Sequence, residues 1–67
     1  MPTQHFSLRE AEILRMVAQG MTDKEIAQHL GISVKTVRTH LDRTLRRTGS
    51  RNRTAVVMAW MRASASE

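Results

Sequence analysis

The 67-residue sequence contains no cysteine and only two aromatic residues, one Phe and one Trp. The lack of cysteine excludes disulfide bonds and thiolate metal sites. No apolar run approaches the length of a membrane span or a signal-peptide core, so the sequence predicts a cytoplasmic protein without membrane contact. A chain of this length forms one small domain, whose limited core needs efficient helix packing or a partner for stability.

Acidic residues are also few, and the surplus of positive charge is concentrated in one segment. The formal net charge is +5, from 11 Lys and Arg against 6 Asp and Glu. Seven of the basic residues lie between Lys35 and Arg53, where the only acid is Asp42. A concentrated basic segment is typical of nucleic-acid-binding proteins, but a solvated basic surface has the same composition. Charge alone leaves both interpretations open.

Capping motifs mark where the helices begin. Ser7 with Glu10, and Thr22 with Glu25, have the spacing of a capping box, in which each side chain satisfies a backbone N–H group of the other residue. A single capping residue precedes each of the next two helices, and a glycine suited to the left-handed conformation ends each of the first three. The single caps are Ser33 and Asn52, and the glycines are Gly20, Gly31 and Gly49.

These signals predict an all-α fold of four helices in a single domain that spans residues 1–67. The packed part extends over about 6–62, and residues 63–67 are expected to fray. About three residues, including a glycine, join the second and third helices in a helix-turn-helix arrangement at about 21–40. The apolar residues at helical spacing that we expect to be buried are Ala11, Leu14, Val17, Ala18, Ile26, Ala27, Leu30, Val34, Val37, Leu41 and Leu45.

The third helix, at about 34–48, carries its basic residues opposite its apolar residues on a helical wheel. A merely solvated surface would more often pair Glu with Lys four residues apart. Lys35 lies in the first turn, where a cation is unfavourable because it opposes the helix dipole. Its position is explained if Lys35 and the helix N-terminus bind the same external phosphate. The pattern favours a docking surface for an anionic partner, formed by Lys35, Thr36, Arg38, Thr39, His40, Asp42, Arg43 and Arg46.

The fourth helix is apolar on every side between Ala55 and Met61. One side can face the core of so short a chain, and nothing remains in the chain to cover the opposite side. We therefore expect a symmetric dimer contact rather than an exposed patch. The expected interface residues are Val56, Val57, Trp60 and Met61, with Trp60 or Met61 as the anchor. The sequence does not decide which of these two points inward.

An ordered set of residues from Phe6 to about Val57 carries a further signal. It consists of Arg9-Glu10, Leu14, Ala18-x-Gly20, Lys24-Glu25-Ile26-Ala27, Leu30, Ile32-Ser33, Lys35-Thr36-Val37, His40-Leu41, Gly49 and Asn52-Arg53. This set resembles the LuxR/GerE-type DNA-binding domain of bacterial regulators. The resemblance implies a four-helix domain with its third helix in the major groove of DNA and a homodimer formed through the fourth helix. Because the sequence starts at a methionine, it resembles the stand-alone members of that family.

The resemblance also implies roles for individual positions. The residues at positions where the family contacts base edges are Arg38, Thr39, Asp42 and Arg43. The residues at positions where it contacts phosphates are Lys24, Lys35, Thr36 and His40, and further phosphate contacts are expected from Arg46, Arg47 and Arg53. The sequence departs from the family pattern by placing polar residues in the seam between the third and fourth helices, at Thr44, Thr48 and Ser50.

Other polar residues have structural interpretations. Glu10 is expected to complete its capping box or to pair with a nearby cation, for which Arg53 is the first choice. The three histidines, His5, His29 and His40, lack the spacing of a metal site. A small helical chain also offers no cleft that would exclude water around a catalytic triad.

We therefore expect a sequence-specific, dimeric regulator of transcription that binds double-stranded DNA, with no enzyme activity and no cofactor or small-molecule ligand. RNA polymerase is a further candidate partner. The alternative is a protein-interaction module that modulates another regulator or RNA polymerase through the fourth helix. A promoter-binding region of sigma factors has a similar helical plan, but the sequence has no signature of dependence on polymerase.

Overall fold

A computed structural model describes residues 6–65, which form four α-helices and no strands. The helices are α1 (Leu8–Ala18), α2 (Asp23–Leu30), α3 (Val34–Thr48) and α4 (Arg53–Ala65). The predicted all-α fold is confirmed, and α3 has the predicted bounds. None of these helices is both long enough and apolar enough to cross a lipid bilayer.

Both predicted capping boxes form. Ser7 Oγ accepts a hydrogen bond from the Glu10 N–H at 3.0 Å, and Glu10 Oε1 accepts one from the Ser7 N–H at 2.9 Å. Thr22 and Glu25 make the same reciprocal pair at 3.1 and 2.8 Å. Since the first N–H groups of a helix have no partner within it, these bonds stabilise α1 and α2 at the positions where the sequence predicts their starts.

The turn between α2 and α3 takes its shape from one glycine. Gly31 has φ 69° and ψ 33°, the left-handed conformation that glycine adopts without steric cost. The next residue, Ile32, donates its N–H to the carbonyl oxygen of Ala27 at 3.0 Å. Ser33 Oγ then accepts a hydrogen bond from the Thr36 N–H at 3.0 Å and starts α3. The chain therefore turns between the two helices in three residues, as a helix-turn-helix motif requires.

Every helix contributes two residues to the buried core, and α3 packs against all three other helices. Because these contacts hold α3 on several sides, its remaining side is fixed in position and open to solvent. One expected core residue, Ala18, is exposed, because it is the last residue of α1 and lines an open groove beside α4. The core residues are Ile13, Leu14, Ile26, Ala27, Val37, Leu41, Val56 and Val57.

The orientation of α4 corrects part of the predicted dimer interface. Val56 is completely buried by its own chain and is not available to a second chain, whereas Val57, at 9% exposed, still lines the open groove beside α4. Trp60 also packs against the core, whereas Met61 faces outward. The predicted contact through Val56 is therefore wrong, and the contact through Val57 and Met61 stays a prediction. Trp60 is the inward member of the pair that the sequence left undecided.

The C-terminal end also differs from the expectation. Helix α4 continues to Ala65, so residues 63–65 of the expected frayed tail are helical. Residues 66–67 lie outside the described residues. The cap is as predicted, because Asn52 Oδ1 accepts a hydrogen bond from the Ala55 N–H at 2.8 Å.

Candidate nucleic-acid interface

The solvent-facing side of α3 forms an open groove in which most of the predicted DNA-contacting residues lie together. All four residues predicted to contact bases line this groove, and two of the predicted phosphate contacts join them. We call this set the recognition surface. It consists of Lys35, Arg38, Thr39, Asp42, Arg43 and Arg46.

Two of the cations on the recognition surface are free to meet a ligand. Lys35 and Arg43 are exposed, and neither makes an ion pair with another residue of the described range 6–65. Asp42, the one acid of this surface, pairs with Arg46 one turn further along α3, with Asp42 Oδ2 and Arg46 Nη2 3.2 Å apart. Both partners of that pair are largely exposed, so the pair is weak and can exchange its partners for a ligand.

The N-terminus of α2 borders the recognition surface through Asp23. Arg38 Nε donates a hydrogen bond to Asp23 Oδ2 at 3.3 Å. Arg53 Nη2 lies 2.8 Å from Asp23 Oδ1, as an ion pair without hydrogen-bond alignment. The next residue, Lys24, is exposed. The sequence interpretation did not single out Asp23, because an Asp in the first turn of a helix is sufficiently explained by the helix dipole.

Two residues predicted to contact phosphates, Arg47 and Arg53, form ion pairs with acids outside the recognition surface. Arg47 donates through Nη2 to Glu10 Oε1, and its guanidinium lies 5.5 Å from the centre of the Phe6 ring. This side chain therefore packs on α1. Arg53 pairs with Asp23, so it is not the partner of Glu10 that the sequence suggested. The choice of partners follows from the helix packing, which places α3 against α1 next to Glu10. The long side chain of Arg53, from the start of α4, reaches Asp23 at the start of α2.

At Thr44 the predicted polar seam faces α1, through the side chain of Glu10. Thr44 is buried, and its hydroxyl is shared between Glu10 Oε2 at 2.9 Å and the His40 carbonyl oxygen at 2.8 Å. Thr48 lies 2.8 Å from the Ser50 hydroxyl. Hydroxyl groups at these positions therefore satisfy one another, a carboxylate or a carbonyl, which removes most of the cost of burying them.

Glu10 is the centre of this network. Burial on its own would raise the pKa of the Glu10 carboxyl, but the hydrogen bond from the Ser7 N–H, those from Arg47 and Thr44, and the positive charge of Arg47 together hold the pKa below its ordinary value. The folded protein therefore prefers the ionised carboxylate more strongly than the unfolded chain does. The stabilisation is complete above the ordinary pKa of a Glu, about 4.3, and is lost as the pH falls through the lowered value.

We expect Glu10→Gln to lower the free energy of unfolding at pH 7 by about 1–3 kcal/mol, because it removes a charged acceptor of several hydrogen bonds. The difference from the wild type should shrink as the pH falls below about 4.3, since protonation removes the same charge from the wild type. Urea unfolding followed by circular dichroism between pH 7 and pH 3 measures both effects. Glu12→Gln is the control, because Glu12 is more exposed and only its 3.7 Å contact with Arg9 is lost. A difference between Glu10→Gln and the wild type that stays constant with pH would contradict this assignment.

Residues 6–65 contain no group of three His, Asp or Glu side chains placed to hold a metal ion. His5, one of the three histidines considered from the sequence, lies outside that range. His29 and His40 are on different helices, and the backbone carbonyl of His40 accepts from Thr44 as described above.

A short glycine turn and an open cationic groove on the following helix define the class of this protein as a helix-turn-helix domain. Residues 4–60 match the family model described as "Bacterial regulatory proteins, luxR family". The chain therefore belongs to the LuxR family of bacterial regulatory proteins, whose helix-turn-helix domains bind DNA. The family resemblance drawn from the sequence is confirmed.

Two of the three relatives described next are named as regulators and one as a spore germination protein. The chain is 39% identical over 54 residues to the spore germination protein GerE of Bacillus subtilis, covering 81% of this chain and 73% of GerE. It is 41% identical over 54 residues to the transcriptional regulatory protein LiaR of the same species, covering 81% of this chain but 26% of LiaR. The nitrate/nitrite response regulator protein NarP of Escherichia coli is 38% identical over 53 residues, which cover 79% of this chain and 25% of NarP.

The chain thus spans about a quarter of the length of LiaR and NarP and most of the length of GerE. The shared region is the DNA-binding regulatory domain, and the family consists of regulators rather than enzymes. No solved structure matches the chain.

Proposed function

We propose that this protein regulates transcription by binding a specific sequence of double-stranded DNA as a homodimer, with α3 of each protomer in the major groove. The observation that carries this proposal is the recognition surface, where four residues able to read base edges lie in one open groove beside cations. An α-helix fits the width of the major groove of B-DNA, and α3 exposes this side without any cover from its own chain within residues 6–65.

The residues of the recognition surface divide by chemistry. Arg43 and Arg38 each carry a guanidinium that can donate two parallel hydrogen bonds to guanine O6 and N7. Asp42 can accept from the N4 amino group of cytosine, and Thr39 can contact a thymine methyl group. These contacts specify sequence, whereas contacts with phosphates fix the position and affinity of the protein. The residues proposed for phosphates are Lys24, Lys35, Thr36, His40 and Arg46.

The exposed side of α4 supports the proposed dimer. Met58 and Met61 are 51% and 48% exposed, and together with Val17 of α1 they line a groove that is mostly apolar. Exposed methionines one turn apart on a helix are typical of a contact surface, and a two-fold axis would bring two copies of it together. Such a dimer places its two recognition helices about ten base pairs apart on DNA, or a near multiple of that distance.

Selection from a random pool of double-stranded DNA tests the proposal. We expect the protein to enrich a two-fold-symmetric sequence, and its affinity for that sequence should fall steeply as the salt concentration rises. The alternative is a protein-interaction module that uses the exposed methionines of α4 to bind another regulator or RNA polymerase. That alternative predicts no enriched sequence and no DNA binding even at low salt.

Replacing Lys35 by alanine tests the proposed phosphate contacts. Because a phosphate contact carries no sequence information, we expect Lys35→Ala to weaken binding to the selected and the random sequences by the same factor. The slope of log K against log salt should become smaller by about one unit, since one fewer counterion is released. Fluorescence anisotropy at several salt concentrations measures both quantities. Lys24→Ala provides a comparison at a predicted phosphate contact on α2. If Lys35→Ala lowers the affinity for the selected sequence only, Lys35 reads a base instead.

A further inference from the structure

The carboxylate of Asp23 lies between two arginines from two different helices. Its side chain is 16% exposed, with Arg38 of α3 on Oδ2 at 3.3 Å and Arg53 of α4 on Oδ1 at 2.8 Å. An Asp in the first turn interacts favourably with the dipole of α2 without any contact to an arginine. The arrangement instead connects the start of α2 to a side chain of the recognition surface.

The contact with Asp23 engages only one part of the Arg38 guanidinium. Arg38 meets Asp23 through Nε, and its side chain is still 69% exposed. A guanidinium has five N–H donors in a rigid plane, and a bidentate contact uses two donors on one edge. The edge formed by Nη1 and Nη2 therefore remains open while Nε is held.

Holding Nε also restricts where that open edge can point. A free arginine side chain samples many rotamers and loses this freedom when it binds a base. A side chain already held by Asp23 loses less, and its plane is fixed before DNA arrives. Arg53 in turn holds Asp23 on its second oxygen, which keeps the carboxylate in place and balances its charge next to a polyanion.

We propose that Asp23 is a positioning residue for Arg38 and, through it, determines the selectivity of the protein at one base pair. Asp23 fixes the guanidinium by its Nε group so that the Nη1 and Nη2 groups face the edge of a guanine. This inference rests on the proposed function and assigns to Asp23 a role in the specificity of the same surface.

The test compares four proteins on sequences selected by the wild type from a random pool of double-stranded DNA: the wild type, Asp23→Asn, Arg38→Ala and the double variant. We expect Asp23→Asn to reduce the preference at one base position by about three- to tenfold, within the range of coupling between contacting residues. Arg38→Ala should abolish the preference at that same position. The double variant should equal Arg38→Ala, because Asp23 acts only through Arg38.

Glu25→Gln is the matched control, because it removes an acid from the same turn of α2 without touching Arg38. It should leave the base preferences unchanged. Circular dichroism and the thermal midpoint report whether each variant is folded. If Asp23→Asn does not fold, Asp23→Glu keeps the charge but moves the carboxylate, and the same loss at one position is expected.

Three results would overturn the inference. An unchanged preference in Asp23→Asn would mean that Arg38 needs no support. Tighter binding with unchanged selectivity would mean that Asp23 competes with DNA for Arg38. A loss spread over all positions would mean that Asp23 supports the fold alone. Each of these requires that the wild type selects a sequence, and a wild type that selects none overturns the proposed function as well.

Discussion

Replacing Met58 and Met61 together by aspartate should convert the proposed dimer into a folded monomer whose affinity for the selected DNA is lower by about 100-fold or more. Both side chains are about half exposed, so the aspartates can be solvated in the monomer without disturbing the core. In a two-fold dimer the four new charges would face one another in an apolar contact, where they are strongly unfavourable. The loss in affinity follows because two linked recognition helices bind far more tightly than one.

Sedimentation equilibrium measures the association, and titration with the selected DNA measures the affinity. Leu8→Asp is the matched control, since Leu8 is 89% exposed at the start of α1 and does not belong to the groove beside α4. The control should remain a dimer with unchanged affinity. A double variant that still dimerises, or a wild type that binds its DNA as a monomer, would contradict the interface.

Trp60 is a poor site for this experiment, although the sequence makes it attractive. Its ring packs against the core, and the guanidinium of Arg15 lies 6.0 Å from its centre. An aspartate there would remove buried aromatic area and place a charge next to the core, so a failure to dimerise would also follow from unfolding. Substitutions at the exposed Met58 and Met61 separate loss of dimerisation from unfolding, because neither side chain belongs to the core.

Local features of the sequence predict most of this fold. The capping boxes at Ser7 and Thr22 and the left-handed glycine at Gly31 each depend on a few neighbouring residues, so their patterns determine the helix starts and the turn. The regular apolar spacing in α3 likewise identifies its inward side, and with it the recognition surface on the opposite side.

Features that depend on how helices cross could not be predicted in the same way. Helix α4 is apolar on every side between Ala55 and Met61, so no pattern in it indicates that Val56 faces inward and Met58 outward. The partners of Glu10 and Asp23 come from helices far away in the sequence, and several arginines were equally suitable by charge. Only the packing of the helices assigns Arg47 to Glu10 and leaves Arg53 for Asp23.

Arg43 provides the sharpest test of base reading, because it is the one arginine of the recognition surface without an ion pair in the described residues. We expect Arg43→Ala to cost about 1–3 kcal/mol on the selected DNA and to abolish the preference at one base position, since a bidentate contact with guanine is lost. Binding to random DNA should change much less.

Arg43→Lys separates charge from geometry at this position. Lysine keeps the positive charge but lacks the planar fork, so it should retain most of the affinity for random DNA and still lose selectivity at the same base. Anisotropy titrations with the selected duplex and with variants changed at one base pair measure both quantities. If Arg43→Ala lowers the affinity for all sequences by the same factor, and Arg43→Lys restores the affinity for all of them equally, then Arg43 contacts phosphate. Sequence would then be read by Arg38, Thr39 and Asp42 alone.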